Sequence, residues 1–326
     1  MALLGEIPVV IEGKDYVLEE LCGGVIIGET SVVTAGHCMF NPMTGAQAPA
    51  EDFLVVAGSS DLVLVEPNEQ NVTVAAVRVH PYFDYAAGPG SDADDIAALT
   101  LTKPLNLSGV TPHAIGPAPT GSTLPEGSSA QLAGFGEQNP STKELNGKLY
   151  SLGMAIGFPR RCGGEADAVF VCASATGGSG CSGDSGSGLA SGSPATLVAV
   201  IDTVAVVSGQ PCGDGADNGF ANVAAPEIRE FIEGSTSPAR APRGGGVSVR
   251  AVPAVGHAAT CEPGSWSGSP TYTYTFVDSG SGQTLQSGSS QVYGLTAADV
   301  GRAIYCQVQA ANSGGTGVGR TEACRR

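Results

Sequence analysis

Three short segments carry residue types that together could cleave an acyl bond. Ser185 lies in GGSGCSGDSGSG (177–188), where almost every residue is Gly or Ser. His37 ends the apolar run VVTAGHC, next to Cys38, and Asp95 stands directly before the apolar run IAALTL. Attack by a serine hydroxyl needs a base to take its proton, a carboxylate to orient that base, and N–H donors for the developing oxyanion. His37, Asp95 and Ser185 supply the base, the carboxylate and the hydroxyl, in that order along the chain. Gly183 and Gly186 allow the backbone around Ser185 to take positive φ. The N–H groups of Gly183 and Ser185 could then converge as an oxyanion hole. Such chemistry requires no metal and no cofactor, and the four histidines show no metal-ligand spacing.

Taken singly, each residue has a plainer explanation. A Gly/Ser run is ordinarily a flexible spacer, an Asp before a strand is ordinarily a turn residue, and a His beside a Cys is ordinarily packed. The elements around them decide the matter. IPVVI, GGVIIG, FLVVAG, VTVAAVRV, IAALTL, SAQLAGFG and TLVAVI are β-rich and punctuated by Gly, Pro, Asn or Asp. So many short strands at close spacing predict an all-β barrel or sandwich over residues 1–234. One helix closes it: in AAPEIREFIEG, Ile228, Phe231 and Ile232 share a face, Pro226 suits the first turn and Gly234 the stop.

STSPARAPRGGG (235–246) has no periodic apolar residue and reads as a linker. Charge changes across it. Residues 1–234 hold 27 acidic and 8 basic side chains, whereas residues 235–326 hold 4 acidic and 7 basic. Residues 247–326 form a second β module, with clean alternation in TYTYTFV and IYCQVQA. Cys261 and Cys306 could join two sheets of it. Its single histidine, His257, has no catalytic motif around it.

The net charge of −16 excludes a nucleic-acid partner, which would need clustered Lys and Arg. No run approaches the ~18 apolar residues of a membrane span. Nine cysteines outside CxxC pairs point to disulfides, and so to a secreted protein. The start MALLGEIPVVIEG lacks the basic and apolar regions of an export signal, so the expected true start lies upstream of Met1. The Arg, Ala and Gly bias suggests a bacterial source.

CGGVIIGETSVVTAGHC, DDIAALTL, FVCAS, CSGDSGSGL, LVAVID and the closing helix, in that order, resemble the trypsin/chymotrypsin family of serine endopeptidases over residues 6–234. The resemblance implies a chymotrypsin-like double six-stranded β-barrel with a C-terminal helix. It implies a secreted endopeptidase that cuts protein or peptide substrates through an acyl-enzyme, and a monomer is the expected state although the sequence does not fix it. His37 is then base and acid, Asp95 its orienting partner and Ser185 the nucleophile. It also implies the bridges Cys22–Cys38, Cys162–Cys172 and Cys181–Cys212, which spacing alone could not choose among the ~105 pairings of eight cysteines.

The sequence departs from the family in places. Asp184 is the residue that pairs with the family's mature amino terminus, whose counterpart is expected upstream of Met1. LVAVIDTV sets Asp202, where the family has Ser, as a second carboxylate near Asp95. Ser179 falls at the base of the primary pocket, with Val204 and Gly219 as further pocket residues. This set implies an uncharged, chymotrypsin- or elastase-like pocket. The competing expectation is a catalytically inactive binding or adhesion protein on the same scaffold. VGHAATCEPGSWSGSPTYTYTF and YGLTAADVGRAIYCQVQAANSGG resemble bacterial immunoglobulin-like repeats. They imply a small immunoglobulin-like sandwich with a cell-surface or protein ligand. Trp266, Tyr272 and Tyr274 serve it as core or as a binding face, and Cys324 is left over.

Overall fold

Alternation of apolar and polar residues turns the short runs into strands. SAQLAG (129–134) buries every second side chain, as a strand with one core-facing side must, whereas AALTL (97–101) is buried almost throughout. In the computed structural model the described residues are 1–11, 14–85, 94–109, 111–139, 141–142, 145–157, 162, 169–204, 212–234, 244–251, 254–266, 270–312, 315–321 and 324–325. The chain divides into two units, Met1–Ser237 and Pro238–Arg326.

The first unit holds two barrel-like sheets. Strands β1 (Ala2–Ile11), β2 (Lys14–Gly23), β3 (Val25–Gly28), β4 (Ser31–Thr34), β5 (Phe53–Ala57), β6 (Gln70–Val79) and β7 (Ala97–Leu101) form one sheet in the order β2-β1-β5-β6-β7-β4-β3. This sheet has seven strands instead of the six expected, because β1 and β2 pair along their whole length as a hairpin before β3 begins. Strands β8 (Ser129–Gly134), β9 (Tyr150–Gly157), β10 (Phe170–Ser174), β11 (Gly188–Ser191), β12 (Thr196–Val204) and β13 (Asp217–Asn222) close into a six-stranded barrel. Helix α1 (Pro226–Ile232) follows, with Pro226 at its first turn and Gly234 (φ +80°) just beyond its end.

Each sheet wraps its own core. Leu3, Ile26, Val32, Phe53, Val55 and Leu99 fill the first, and Leu132, Met154, Leu189, Val198, Ile201 and Phe220 the second. A third cluster joins Val25, Val33 and Ile96 from the first sheet to Leu197, Val200 and the α1 residues Ile228 and Phe231. The helix therefore buries its apolar face at the seam between the two sheets. Burying one such large apolar side chain is worth about 1.5–3 kcal/mol, so this cluster holds the halves in register.

The second unit is also β. Its strands are β14 (Gly244–Gly245), β15 (Ser248–Ala251), β16 (Ala258–Glu262), β17 (Ser265–Trp266), β18 (Thr271–Asp278), β19 (Thr284–Gly288), β20 (Val292–Gly294), β21 (Ala303–Asn312), β22 (Gly315–Arg320) and β23 (Cys324–Arg325). One sheet runs β15-β16-β20 and the other β19-β18-β21-β22, with β23 also on β21. Cys261 on β16 and Cys306 on β21 join the two sheets by a disulfide, packed among Ala259, Tyr274, Phe276 and Val308. Trp266 and Tyr274 are buried, and the Trp266 indole donates to the Pro263 carbonyl at 2.7 Å. These two rings are core, and Tyr272 packs half-buried against the same cluster. Of the expected linker, residues 235–243 lie outside the described set, whereas Gly244 and Gly245 pair with β17. Cys324 falls on β23.

Candidate active site

Strand pairing puts His37 and Asp95 side by side. β4 and β7 are antiparallel neighbours, with Thr34 opposite Ala97. His37 opens a short 3-10 turn, His37–Met39, just after β4, and Asp95 lies just before β7. Asp95 is 1% exposed and grips the histidine twice. Its Oδ1 accepts the His37 backbone N–H at 2.7 Å, and its Oδ2 lies 2.5 Å from Nδ1. A carboxylate at Nδ1 favours the tautomer with the proton there and the lone pair on Nε2. Gly36 makes the approach possible, since a Cβ at that position would sit 2.9 Å from Asp95 Oδ1.

The Ser185 segment is a tightly tied turn. Asp184 N–H donates to Cys181 O, Ser187 N–H to Asp184 O, Gly186 N–H to Ile201 O on β12, and Gly23 N–H to Ser185 O at 2.7 Å. The Cys181–Cys212 disulfide anchors its start. Gly183 and Gly186 have φ of +91° and +84°, a region that L side chains avoid. Among the described residues, the N–H groups of Gly183 and Ser185 meet no acceptor. Both belong to residues half-buried in the turn.

Asp184 is buried beneath this turn. Its Oδ1 accepts the Gly136 N–H at 2.9 Å and its Oδ2 the Cys181 N–H at 3.0 Å. Burial pushes its carboxyl above the ordinary range, and the two backbone amides pull it part of the way back. Among the described residues no cation pairs with it. Gly134 and Gly136 give the carboxylate its room, because a Cβ on either would lie within 2.5 Å of its oxygens.

Asp202 is 2% exposed and sits at an irregularity in the β12–β13 register, between Ile201 and Thr203. Its carboxylate, the His37 imidazole and the Asp95 carboxylate have nitrogen or oxygen atoms within 4.8 Å of one another. The two other groupings of His, Cys and carboxylates contain disulfide cysteines, which offer a metal no thiolate. In the third, Asp95 already holds Nδ1 of His37.

Ser179 accepts the Gly213 N–H and donates to the Gly180 carbonyl. It borders a cavity of about 270 Å³ lined also by Leu152, the Cys181–Cys212 bridge, Asp184 and Asp214. Gly219 is buried on β13, opposite Cys172 on β10 and Thr203 on β12. The Val204 backbone pairs with Asn218, and its side chain lies outside the described atoms. Cys22–Cys38 and Cys162–Cys172 are also disulfides.

Sequence reasoning passed over several supporting residues. Asn218, fully buried, accepts the Gly180 N–H at 2.9 Å and donates back to its carbonyl at 3.3 Å. Thr34 donates its hydroxyl to Gly23 O at 2.8 Å, bracing the carbonyl beside Gly186. Only the glycine density of CGG and LAGFG hinted at close backbone approach around Gly23, Gly134 and Gly136.

Comparison with known proteins agrees with this geometry. A family model described as Trypsin matches residues 7–232. Coagulation factor IX of Oryctolagus cuniculus is 40% identical over 114 residues, 34% of this chain and 37% of that protein. Chymotrypsin-like elastase family member 1 of Felis catus is 32% identical over 188 residues, 53% of this chain and 62% of its own. Trypsin delta of Drosophila erecta is 30% identical over 187 residues, 55% of this chain and 67% of its own. The chain thus spans less than two thirds of the first two relatives. Among the described residues, no helix is long and apolar enough to cross a membrane.

Proposed function

Because the chain belongs to the trypsin family of serine proteases, we propose that it is a secreted serine endopeptidase hydrolysing peptide bonds through an acyl-enzyme. The observation that carries this reading is the double grip of Asp95 on His37, at the backbone N–H and at Nδ1. His37 Nε2 takes the Ser185 hydroxyl proton as the oxygen attacks the peptide carbonyl carbon. The carbonyl oxygen becomes an oxyanion held by the N–H groups of Gly183 and Ser185. Collapse breaks the C–N bond, and the amine leaves with the proton from His37. A water, deprotonated by His37, then releases the acyl group and restores Ser185.

Four disulfides support an oxidising, extracellular setting. We assign residues 1–234 to the protease domain and 247–326 to an immunoglobulin-like sandwich with a protein or surface ligand. The bridge between its two sheets supports that assignment. Ser179, a neutral side chain, together with Val204 and Gly219 favours substrates with an uncharged residue at the cleaved position.

The test is labelling of the purified protein by a fluorophosphonate, with casein cleavage measured in parallel. Labelling at Ser185 that vanishes in Ser185→Ala supports the reading. A folded protein that neither labels nor cleaves is instead a binding protein on a protease scaffold.

A further inference from the structure

Two carboxylates, not one, lie close to the imidazole of His37. Asp95 is bonded to Nδ1, and Asp202 reaches the same cluster from β12, within 4.8 Å. Both are almost wholly removed from water, at 1% and 2% exposure. Like charges this close in a buried site repel, and each ionised carboxylate favours a positive charge on the nearby ring.

We propose that Asp202 is a positioning residue that shares the imidazolium charge with Asp95 and raises the pH at which His37 becomes a base. The inference rests on the serine-protease reading only for its consequence in catalysis. The β12 irregularity at Asp202 breaks register with β13 just where this side chain enters the cluster. β12 also receives the Gly186 N–H at Ile201, so the same strand braces the Ser185 turn and supplies the second carboxylate.

The other ionisable groups on the adjoining elements do not duplicate Asp202. Asp94, next to Asp95, faces His80, with Oδ1 3.4 Å from Nδ1. Asp217 lies on β13, opposite Ser174. Cys22 and Cys38 are joined and do not titrate. β7 presents no charged side chain to the cluster, being Ala, Leu and Thr throughout.

A second carboxylate within 4.8 Å corresponds to a shift of about one to two pH units at effective dielectric constants between those of a protein surface and water. The experiment is NMR titration of the His37 ring in the full chain, with its signals assigned from His37→Gln. Fluorophosphonate labelling rates are followed over the same pH range. Wild-type His37 is expected to titrate about one unit or more above the ordinary ~6.5, and Asp202→Asn and Asp202→Ser to bring the midpoint down by about one to two units. The acid limb of the labelling rate should move with it. A wild-type midpoint at or below ~6.5, or an unchanged midpoint in both folded variants, overturns the proposal. Absence of Ser185 labelling together with a raised, Asp202-dependent midpoint leaves the proposal standing and removes the serine-protease reading instead.

Discussion

Replacing Gly186 by alanine tests the idea that the nucleophile turn is held by contact with the first sheet. Gly186 has φ +84°, and a Cβ there would lie 2.1 Å from Thr34 Oγ1, 2.4 Å from Gly23 O and 2.9 Å from Ala35 N. The dihedral costs a non-glycine residue about 1–2 kcal/mol. Relieving the overlap requires Gly23 and the turn to separate by about 1 Å, for a further ~1–3 kcal/mol, as overpacking of a tight site does. Gly121 supplies the control: its φ is +74° but nothing lies within 4 Å of an added Cβ, so Gly121→Ala carries the dihedral cost alone. Urea unfolding should show Gly186→Ala less stable than wild type by about 2–5 kcal/mol, and Gly121→Ala by about 1–2 kcal/mol. Fluorophosphonate labelling of the folded protein should slow about 100-fold in Gly186→Ala, since a displacement of ~1 Å misaligns reacting groups by that factor. Gly121→Ala should label at the wild-type rate. Equal stability of the two variants, or wild-type labelling by folded Gly186→Ala, would refute the reasoning.

Two further outcomes follow from buried polar groups. Burial holds the Asp184 carboxyl above its ordinary 3.8, so the native state binds that proton more tightly than the unfolded chain does. Its contribution to stability is therefore fullest below pH 3.8 and declines as pH rises through the raised native value; urea midpoints against pH should lose that decline in Asp184→Asn. Asn218→Ala removes both hydrogen bonds to Gly180 and strands its N–H, while the carbonyl keeps the Ser179 hydroxyl, a loss of about 1–3 kcal/mol in urea unfolding.

How much of this could be read from the chain differs by feature. The helix at Pro226–Ile232 was legible because its apolar spacing, its proline and its following glycine are all local signals. The strands were legible for the same reason, through alternation and turn residues. Nothing local says that IPVVI belongs to a ten-residue strand pairing with Lys14–Gly23, so the first sheet carries one strand more than expected. The expectation that His37, Asp95 and Ser185 come together rests on likeness to a family, because separations of 58 and 90 residues erase any local signal of contact. Asp202 was expected near Asp95 on the same grounds, and its carboxylate does lie there. Asn218 gave no warning at all. An asparagine at a strand start is unremarked until Gly180 is seen beside it. For Trp266 and Tyr274 the sequence favours core over a binding face, and both are buried in the second unit.

The bond from Gly23 N–H to Ser185 O and that from Gly186 N–H to Ile201 O have a consequence in time as well as in space. One ties the nucleophile turn to the first sheet, and the other ties it to a strand that is synthesised after it. During translation His37 emerges early, and Ser185 follows at a point where β12 is still absent. The turn therefore lacks that hydrogen bond until Ile201 has been added. A chain that ends before β12 therefore carries Ser185 in a turn that cannot yet make its hydrogen bond to Ile201.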